Sequence, residues 1–502
     1  MWGSMMKKFL LSGVAGLAMS VAAIAQDLPQ SENTWFQAGQ ATIAARLALQ
    51  PNTSKAKNVI LFTADGNGVG TNYAIRLFEG QQLGGLGDDH IQPHEAFPNA
   101  AMVKTYSTNG QTPDSAPTAS AMNSGVKTKN DLINIPDSVA VGDCAAGVTT
   151  NLKLFSEIAS EMGKSVGVVS TARVTHATPA AVYARSVNRD WEDNTSIPEG
   201  CTQKDIASQL IDMMASGVID VAMGGGRAHF LPETVTDIEG KSGKRTDGRN
   251  LIDEAKALGA QVVESHVDFT ALTLGNNASI LGLFEPSHMK YEFDRSGEPS
   301  LAQMTEASIE SLSTNESGFF LAIEAGRVDH ALHGGNLHRV MVDGVAFNDA
   351  IRKAIEMTNP EETLIIVTAD HEHAIAFNGY CGRGSAITGL CMEINEAGVE
   401  HTGTAETAAD GKTYTVAGFL NGAGSVLVEQ ADKTFSGMRP DLTNEQAIDP
   451  DYLQQALIPM GSETHSGEDV MVFAQGPWAH LFGGTIEQNV IFHVMNHAVN
   501  PK

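Results

Sequence analysis

The chain has 502 residues, 42% of them hydrophobic and 18% charged, with a formal net charge of -27. That length implies a large domain with insertions or two to three domains, and that balance supplies a sizeable core. The acidity excludes nucleic acid and anionic membrane surfaces as natural partners, and an anionic substrate would need a local cationic trap such as metals or a buried arginine.

The N-terminus reads MKKFLLSGVAGLAMSVAAIAQD from Met6. Lys7 and Lys8 form a basic start, Phe9 to Ile24 is a short apolar run, and Ala23-Ile24-Ala25 fits a small-x-small cleavage site. A signal peptide is expected over residues 1–25, with the mature chain beginning near Gln26 and a periplasmic or secreted location. No later run reaches the ~18 apolar residues of a membrane span. The terminal HVMNHAVNPK has no anchor-attachment tail, so no membrane anchor is expected.

Six runs rich in aliphatic residues follow in chain order, each reading as a buried strand. They are NVILFTAD (Asn58 to Asp65), KSVGVVSTA (Lys164 to Ala172), GVIDVAMGGG (Gly217 to Gly226), GFFLAIEAG (Gly318 to Gly326), TLIIVTAD (Thr363 to Asp370) and GEDVMVFAQG (Gly467 to Gly476). Helical patterns such as KLFSEIASEMG and LHRVMVDGVAFNDAIRKAIEM lie between them. The alternation predicts an α/β fold, a three-layer αβα sandwich around a mostly parallel central sheet. From Asn378 to Ser462 the chain turns to Gly, Thr, Ala, Glu and Asp with no long aliphatic run, which predicts an irregular inserted subdomain. No internal repeat is visible.

Four cysteines in an exported chain predict two disulfides, and three pairings are possible. Cys381 and Cys391 flank a Gly-rich loop, which favours a local clip and leaves Cys144 with Cys201.

Open α/β sheets bind ligands at the carboxyl ends of their strands. Asp65, Glu324 and the pair Asp370-His371 end three of the predicted strands. Asp329 and His333, four apart in RVDHALH, can share a helical face. His465 precedes the last strand. A strand-end aspartate is more often a helix cap, and a lone histidine is usually a satisfied core or surface group. Together, however, the pairs DH and DxxxH offer the carboxylate-imidazole mix that zinc accepts, and such crowded charges need cations. Ser115 in TPDSAPTAS precedes a small-residue segment that can begin a helix near Pro117. Locally it reads as a helix cap. A metal at that helix N-terminus would instead activate it as a nucleophile without a histidine base. In STARVTHATPAAVYARSVNRDW, His176 and Thr178 follow a strand. Arg189 is either a surface ion-pair partner or a bidentate grip for phosphate oxygens.

These residues match a family pattern. The sequence resembles the alkaline phosphatases from about Asn58 to the C-terminus: FTADGNGVG, PDSAPTASA, THATPAA, EAGRVDHALH, TADHEH and ETHSGEDV fall in the family's order. VNRDW, GLFEPSHMKYEF, GKTYTVAGFLNGAG and ETHSGEDVMVFAQGPWAH look closer to the animal enzymes than to the enteric bacterial type. The resemblance implies hydrolysis of phosphate monoesters through a phosphoserine on Ser115, with two zinc ions and one magnesium per subunit. It implies one zinc on Asp329, His333 and His465, a second on Asp65, Asp370 and His371, and magnesium on Asp65, Thr178 and Glu324. Arg189 would bind phosphoryl oxygens, with His176 near the magnesium and His330 near phosphate as in the animal-type enzymes, and His373 would orient a ligating carboxylate. The animal enzymes also carry calcium, for which Phe284 (carbonyl), Glu285 and Glu298 match and Glu239 is the fourth candidate. The resemblance further implies a catalytic domain over 26–377 and 463–502, a crown-like insert over 378–462, and a homodimer.

Two alternatives stay open at this level. One is a phosphodiesterase, sulfatase or phosphomutase of the same metal-dependent superfamily. The other is a catalytically silent, exported acidic binding protein.

Overall fold

The computed structural model describes residues 28–150, 152–275 and 278–501. The expected signal peptide lies outside them. The described residues divide into two units, 28–51 and 52–501. In the first, Thr34–Ala48 is an α-helix capped by Asn33, whose side chain accepts from the main-chain N–H of Trp35 and Phe36. None of its residues is buried, and Trp35 and Leu47 are 75% and 74% exposed.

The second unit is built on a ten-stranded sheet. In chain order the strands are β1 (Asn58–Ala64), β2 (Asn99–Lys104), β3 (Ser165–Arg173), β4 (Val221–Gly225), β5 (Gln261–Val263), β6 (Ile280–Leu283), β7 (Phe319–Ala325), β8 (Thr363–Ala369), β9 (Val470–Gln475) and β10 (Thr485–Glu487). Their spatial order is β10-β2-β9-β8-β1-β7-β3-β4-β6-β5. Every neighbouring pair is parallel except those made by β9, which runs antiparallel to β8 and β2. The six expected strands are present, although β4 starts at Val221 rather than Gly217. The short strands β2, β5, β6 and β10 carry no long aliphatic run and were not evident from the sequence.

The strand sequences explain the three layers. Successive side chains of a strand point to opposite faces. Val59 and Leu61 of β1 enter one apolar core, with the helices Ser115–Ser124, Phe155–Glu161, Ile206–Ala215 and Val490–Val499. Ile60 and Phe62 enter the other, with Val69–Gln82, Leu301–Leu312 and Leu337–Met357. A strand covered on both sides must be apolar throughout, which is why these runs do not alternate.

Within 378–462 and the strand that leads into it the structure is sparse. Ile375–Phe377, Ala417–Gly422 and Ala456–Pro459 form a three-stranded sheet, and Val428–Glu429 pairs with Phe435–Ser436. Glu372–His373 pairs antiparallel with His465–Ser466, with His465 opposite His373. The segment between them therefore leaves and returns at one point. Both expected disulfides are formed, Cys144–Cys201 and Cys381–Cys391. Among the described residues no helix is long and apolar enough to cross a membrane.

Candidate active site

Parallel register brings the strand-end acids level. Ala64 of β1 pairs with Ala325 of β7 and with Ala369 of β8, so Asp65 and Asp370 leave the sheet side by side. Glu324 lies opposite Thr63 and Ser170. Because β9 is antiparallel, its amino end lies at the edge where the parallel strands end. His465 arrives there for that reason. Gly66 turns the chain away from Asp65 with φ +72, and a Cβ there would lie 2.5 Å from the His373 ring.

Three groups of side chains converge. In the first, His333 Nε2 and His465 Nε2 are 3.0 Å apart, and they lie 3.5 and 3.3 Å from Asp329 Oδ1. His333 Nδ1 donates to the Glu463 carbonyl (2.6 Å) and His465 Nδ1 to the Pro113 carbonyl (2.9 Å). Both Nε2 atoms therefore carry lone pairs that face Asp329, the tautomer a metal ligand needs. His373 Nε2 bonds Asp329 Oδ1 at 2.8 Å, and its Nδ1 bonds Glu463.

In the second group, His371 Nε2 lies 3.1 Å from Asp370 Oδ2 and 3.4 Å from Asp65 Oδ1. Asp370 Oδ1 accepts from the N–H of Gly66 (3.0 Å) and His371 (2.9 Å). In the third, Asp65, His176 and Glu324 offer ligand atoms that lie within 4.8 Å of one another. Thr178 Oγ1, Glu324 Oε1 and Asp65 Oδ1 are buried without hydrogen-bond partners among the described residues.

Ser115 sits at the edge of the second group. Its Oγ is 3.3 Å from His371 Nε2 and 3.5 Å from Asp65 Oδ2. The helix begins at Ser115 itself, two residues before the expected start, because Asp114 is the cap and accepts from Ala116 N–H at 2.7 Å. The helix-cap reading of Ser115 is thereby replaced: the serine oxygen is free for the site. Asp114 also accepts from Arg189 Nη1 (3.0 Å) and from Asp131 N–H (2.7 Å). Arg189 Nη2 donates to His176 Nε2 at 3.1 Å. His330 lies beside His176, with ring centroids 5.5 Å apart.

The electrostatics follow from crowding. Burial, with the charges of Asp329, Asp370 and Glu324, raises the Asp65 carboxyl well above its usual range. Burial chiefly pushes Glu324 up to about 7. Burial opposes ionisation of Asp329 as well, but the protonated His373 bonded to it holds it low. Against its own burial, His373 is pushed up to about 10 by Asp329 and Glu463. Such a cluster is stable in ionised form only with cations among its oxygens. The donor sets fit that need: imidazole with carboxylate suits zinc, and hard oxygens suit magnesium.

The calcium candidates are near one another but engaged internally. Arg227 Nη2 bonds Glu239 (2.8 Å), and Arg227 Nη1 bonds the Phe284 carbonyl (3.3 Å). Lys290 Nζ bonds Glu285, and Lys290 N–H donates to Glu298 Oε1 (2.8 Å). Glu298 Oε2 is buried without a partner, and Glu298 is pushed up to about 7, chiefly by burial, with Glu285 adding to it. Sequence reasoning missed Asp114, Glu463, His288 and Arg327. Only Asp114 carried a local signal, as an aspartate directly before the helix.

A serine oxygen at a helix start, ringed by buried carboxylate and imidazole donors at the carboxyl edge of an α/β sheet, is the arrangement of a metal-dependent hydrolase. The alkaline phosphatase family model matches residues 56–500, and the chain belongs to that family. Hydrolysis of phosphate monoesters is its activity, which sets aside both alternative readings. The chain is 38% identical over 511 residues to the tissue-nonspecific alkaline phosphatase of Gallus gallus, covering 98% of this chain and 94% of that protein. It is 39% identical to the alkaline phosphatase of Gadus morhua, covering 94% and 97%. The animal character read from the sequence is thus borne out. The alkaline phosphatase of Thermus thermophilus shares the fold, with a TM-score of 0.64 at 23% identity over 90% of this chain and 93% of that one.

Proposed function

We propose that this phosphatase works through a phosphoserine on Ser115, with two zinc ions and one magnesium per subunit. The observation that carries the reading is Ser115 Oγ, within 3.5 Å of both Asp65 and His371. Asp329, His333 and His465 would hold one zinc, Asp65, Asp370 and His371 the other, and Asp65, Thr178 and Glu324 the magnesium. Cations bound there supply Lewis-acid stabilisation of negative oxygens and offset the repulsion of a phosphate dianion by an acidic chain. Arg189, steadied by Asp114, grips the phosphoryl oxygens and turns phosphorus toward Ser115. The serine oxygen attacks in line, and the ester bond breaks on the opposite side. The departing alcohol takes up a proton equivalent to the one the serine loses. Water then displaces Ser115, releasing phosphate and restoring the hydroxyl.

The test is metal analysis of the purified protein paired with Ser115→Ala. Ser115→Ala should keep its metals and lose at least ~10³-fold in turnover. Chelation by EDTA should abolish activity and zinc should restore it. A fully active Ser115→Ala protein would refute the phosphoserine route. p-Nitrophenyl phosphate should be hydrolysed in preference to its bis-ester and to the sulfate.

Calcium on Glu239, Glu285, Glu298 and the Phe284 carbonyl is part of the same reading. The unpartnered Glu298 oxygen supports it, and calcium would compete with Arg227 and Lys290 for these oxygens. The division into a catalytic domain (26–377 and 463–502) and an insert (378–462) is supported by the paired ends at His373 and His465. A homodimer formed through the insert is supported by its exposed apolar side chains, including Leu457 at 63% and Met438 at 84%. Leu457 lines a groove of about 620 Å³ together with Phe419, Leu420, Val426 and Ala456. Light scattering on the purified protein decides this: a monomer would refute it. Export is supported by the two disulfides, which persist in oxidising compartments.

A further inference from the structure

Arg327 lies on the helix Gly326–His333, two residues before Asp329. Its main-chain N–H donates to Thr171 Oγ1 at 3.2 Å, and its guanidinium sits over the Tyr291 ring, 3.7 Å from the centroid. Among the described residues its Nε has no hydrogen-bond partner. Its Nη1 lies 3.2 Å from His330 Nδ1. A guanidinium has donors and no acceptor, so His330 Nδ1 must be the acceptor. The ring then holds its proton on Nε2. Among the described residues the hydrogen bond to this ring is the one from Arg327 to Nδ1. The His288 ring, 4.0 Å from the His330 ring between centroids, and the His176 ring, 5.5 Å away, pack against it and against each other, which limits its rotation. His176 in turn touches Arg189, the proposed grip on the phosphoryl group.

We propose that Arg327 is a positioning residue that fixes His330 as an Nε2–H donor toward a phosphoryl oxygen and thereby keeps it from ligating metal. This rests on the reading that His330 lines the phosphoryl pocket. The tyrosine face helps make the arrangement rigid: it seats the guanidinium where, among the described residues, no carboxylate forms an ion pair with it, although Asp343, Glu298 and Asp294 attract it from farther off.

The test uses the zinc- and magnesium-loaded enzyme and inorganic phosphate as competitive inhibitor. Arg327→Leu should weaken phosphate inhibition about tenfold, as expected for a lost hydrogen bond to a charged group, with metal content unchanged. Arg327→Lys, which retains a donor, should recover most of the loss. In a His330→Ala background, Arg327→Leu should add nothing, because one residue acts through the other. An equal further loss in that background, or unchanged inhibition in Arg327→Leu, overturns the proposal. Unchanged inhibition in His330→Ala alone removes His330 from the pocket and the proposal with it. Should Arg327→Leu fail to fold, nitrogen-15 NMR of the unmutated enzyme, with His330 identified by its loss in His330→Ala, reads the tautomer directly. A protonated Nδ1 overturns the assignment, whereas an unprotonated Nδ1 beside a protonated Nε2 sustains it.

Discussion

His373 Nε2 lies 2.8 Å from Asp329 Oδ1, and the other nitrogen of the same ring bonds Glu463. Held between two carboxylates, this imidazole stays protonated up to about 10, and it orients Asp329 toward His333 and His465. Glu463 serves twice, since its carbonyl also receives His333 Nδ1. Glu463→Gln should therefore loosen the first group, lowering zinc affinity there about 10- to 100-fold. Competition against a chromogenic chelator measures it, and parental affinity would show Glu463 to be a bystander.

Removal of metal should make stability depend on pH. The Glu324 carboxyl moves from an ordinary 4.5 to about 7 on folding, chiefly through burial, and Asp65 moves the same way. Between those values the folded metal-free chain binds more protons than the unfolded one. The stability this contributes is complete below about pH 4.5 and is lost as the pH rises through about 7. Cations replace those protons. The gap in melting temperature between metal-loaded and EDTA-treated protein should widen from pH 5 to about pH 8. A gap that is constant across this window contradicts the prediction.

Asp114 caps the serine helix and anchors Arg189 through one oxygen, Oδ1. Asn caps helices as well as Asp does, so Asp114→Asn keeps the cap while removing the charge that holds Arg189, at the cost of the acceptor for Asp131 N–H. Melting temperature should stay close to parental. The KM and the inhibition constant for phosphate should both rise several-fold, for a loss of ~1 kcal/mol at a half-buried pair. A large fall in melting temperature with unchanged KM would mean that capping is what Asp114 contributes.

The disulfides close loops of different length. Cys144 and Cys201 are 57 residues apart, and Cys381 and Cys391 are 10 apart. Loop-closure entropy assigns about 4 kcal/mol to the first and about 3 kcal/mol to the second. Replacing the first pair with serine should lower the denaturation midpoint more than replacing the second. The reverse order in guanidinium titrations would show that native packing, not chain entropy, dominates.

Much of this was legible in the chain itself. Unbroken aliphatic runs such as NVILFTA and TLIIVTA announced strands covered on both faces, and the acids ending them announced the ligand-binding edge. The spacing of Asp329 and His333 placed both on one helical face. These features depend on neighbours a few residues apart, where backbone geometry alone sets which side chains align.

The rest required the folded molecule. A parallel β9 would have carried His465 to the opposite edge of the sheet; its antiparallel entry between β8 and β2 delivers the histidine to Asp329. The sharing of Asp114 between a helix end and Arg189, the bracketing of His373 by Asp329 and Glu463, and the seat of Arg327 on Tyr291 join residues up to ninety positions apart. Strand direction and register are settled by the packing of whole layers against one another, and composition and periodicity carry no record of which distant partner a side chain meets.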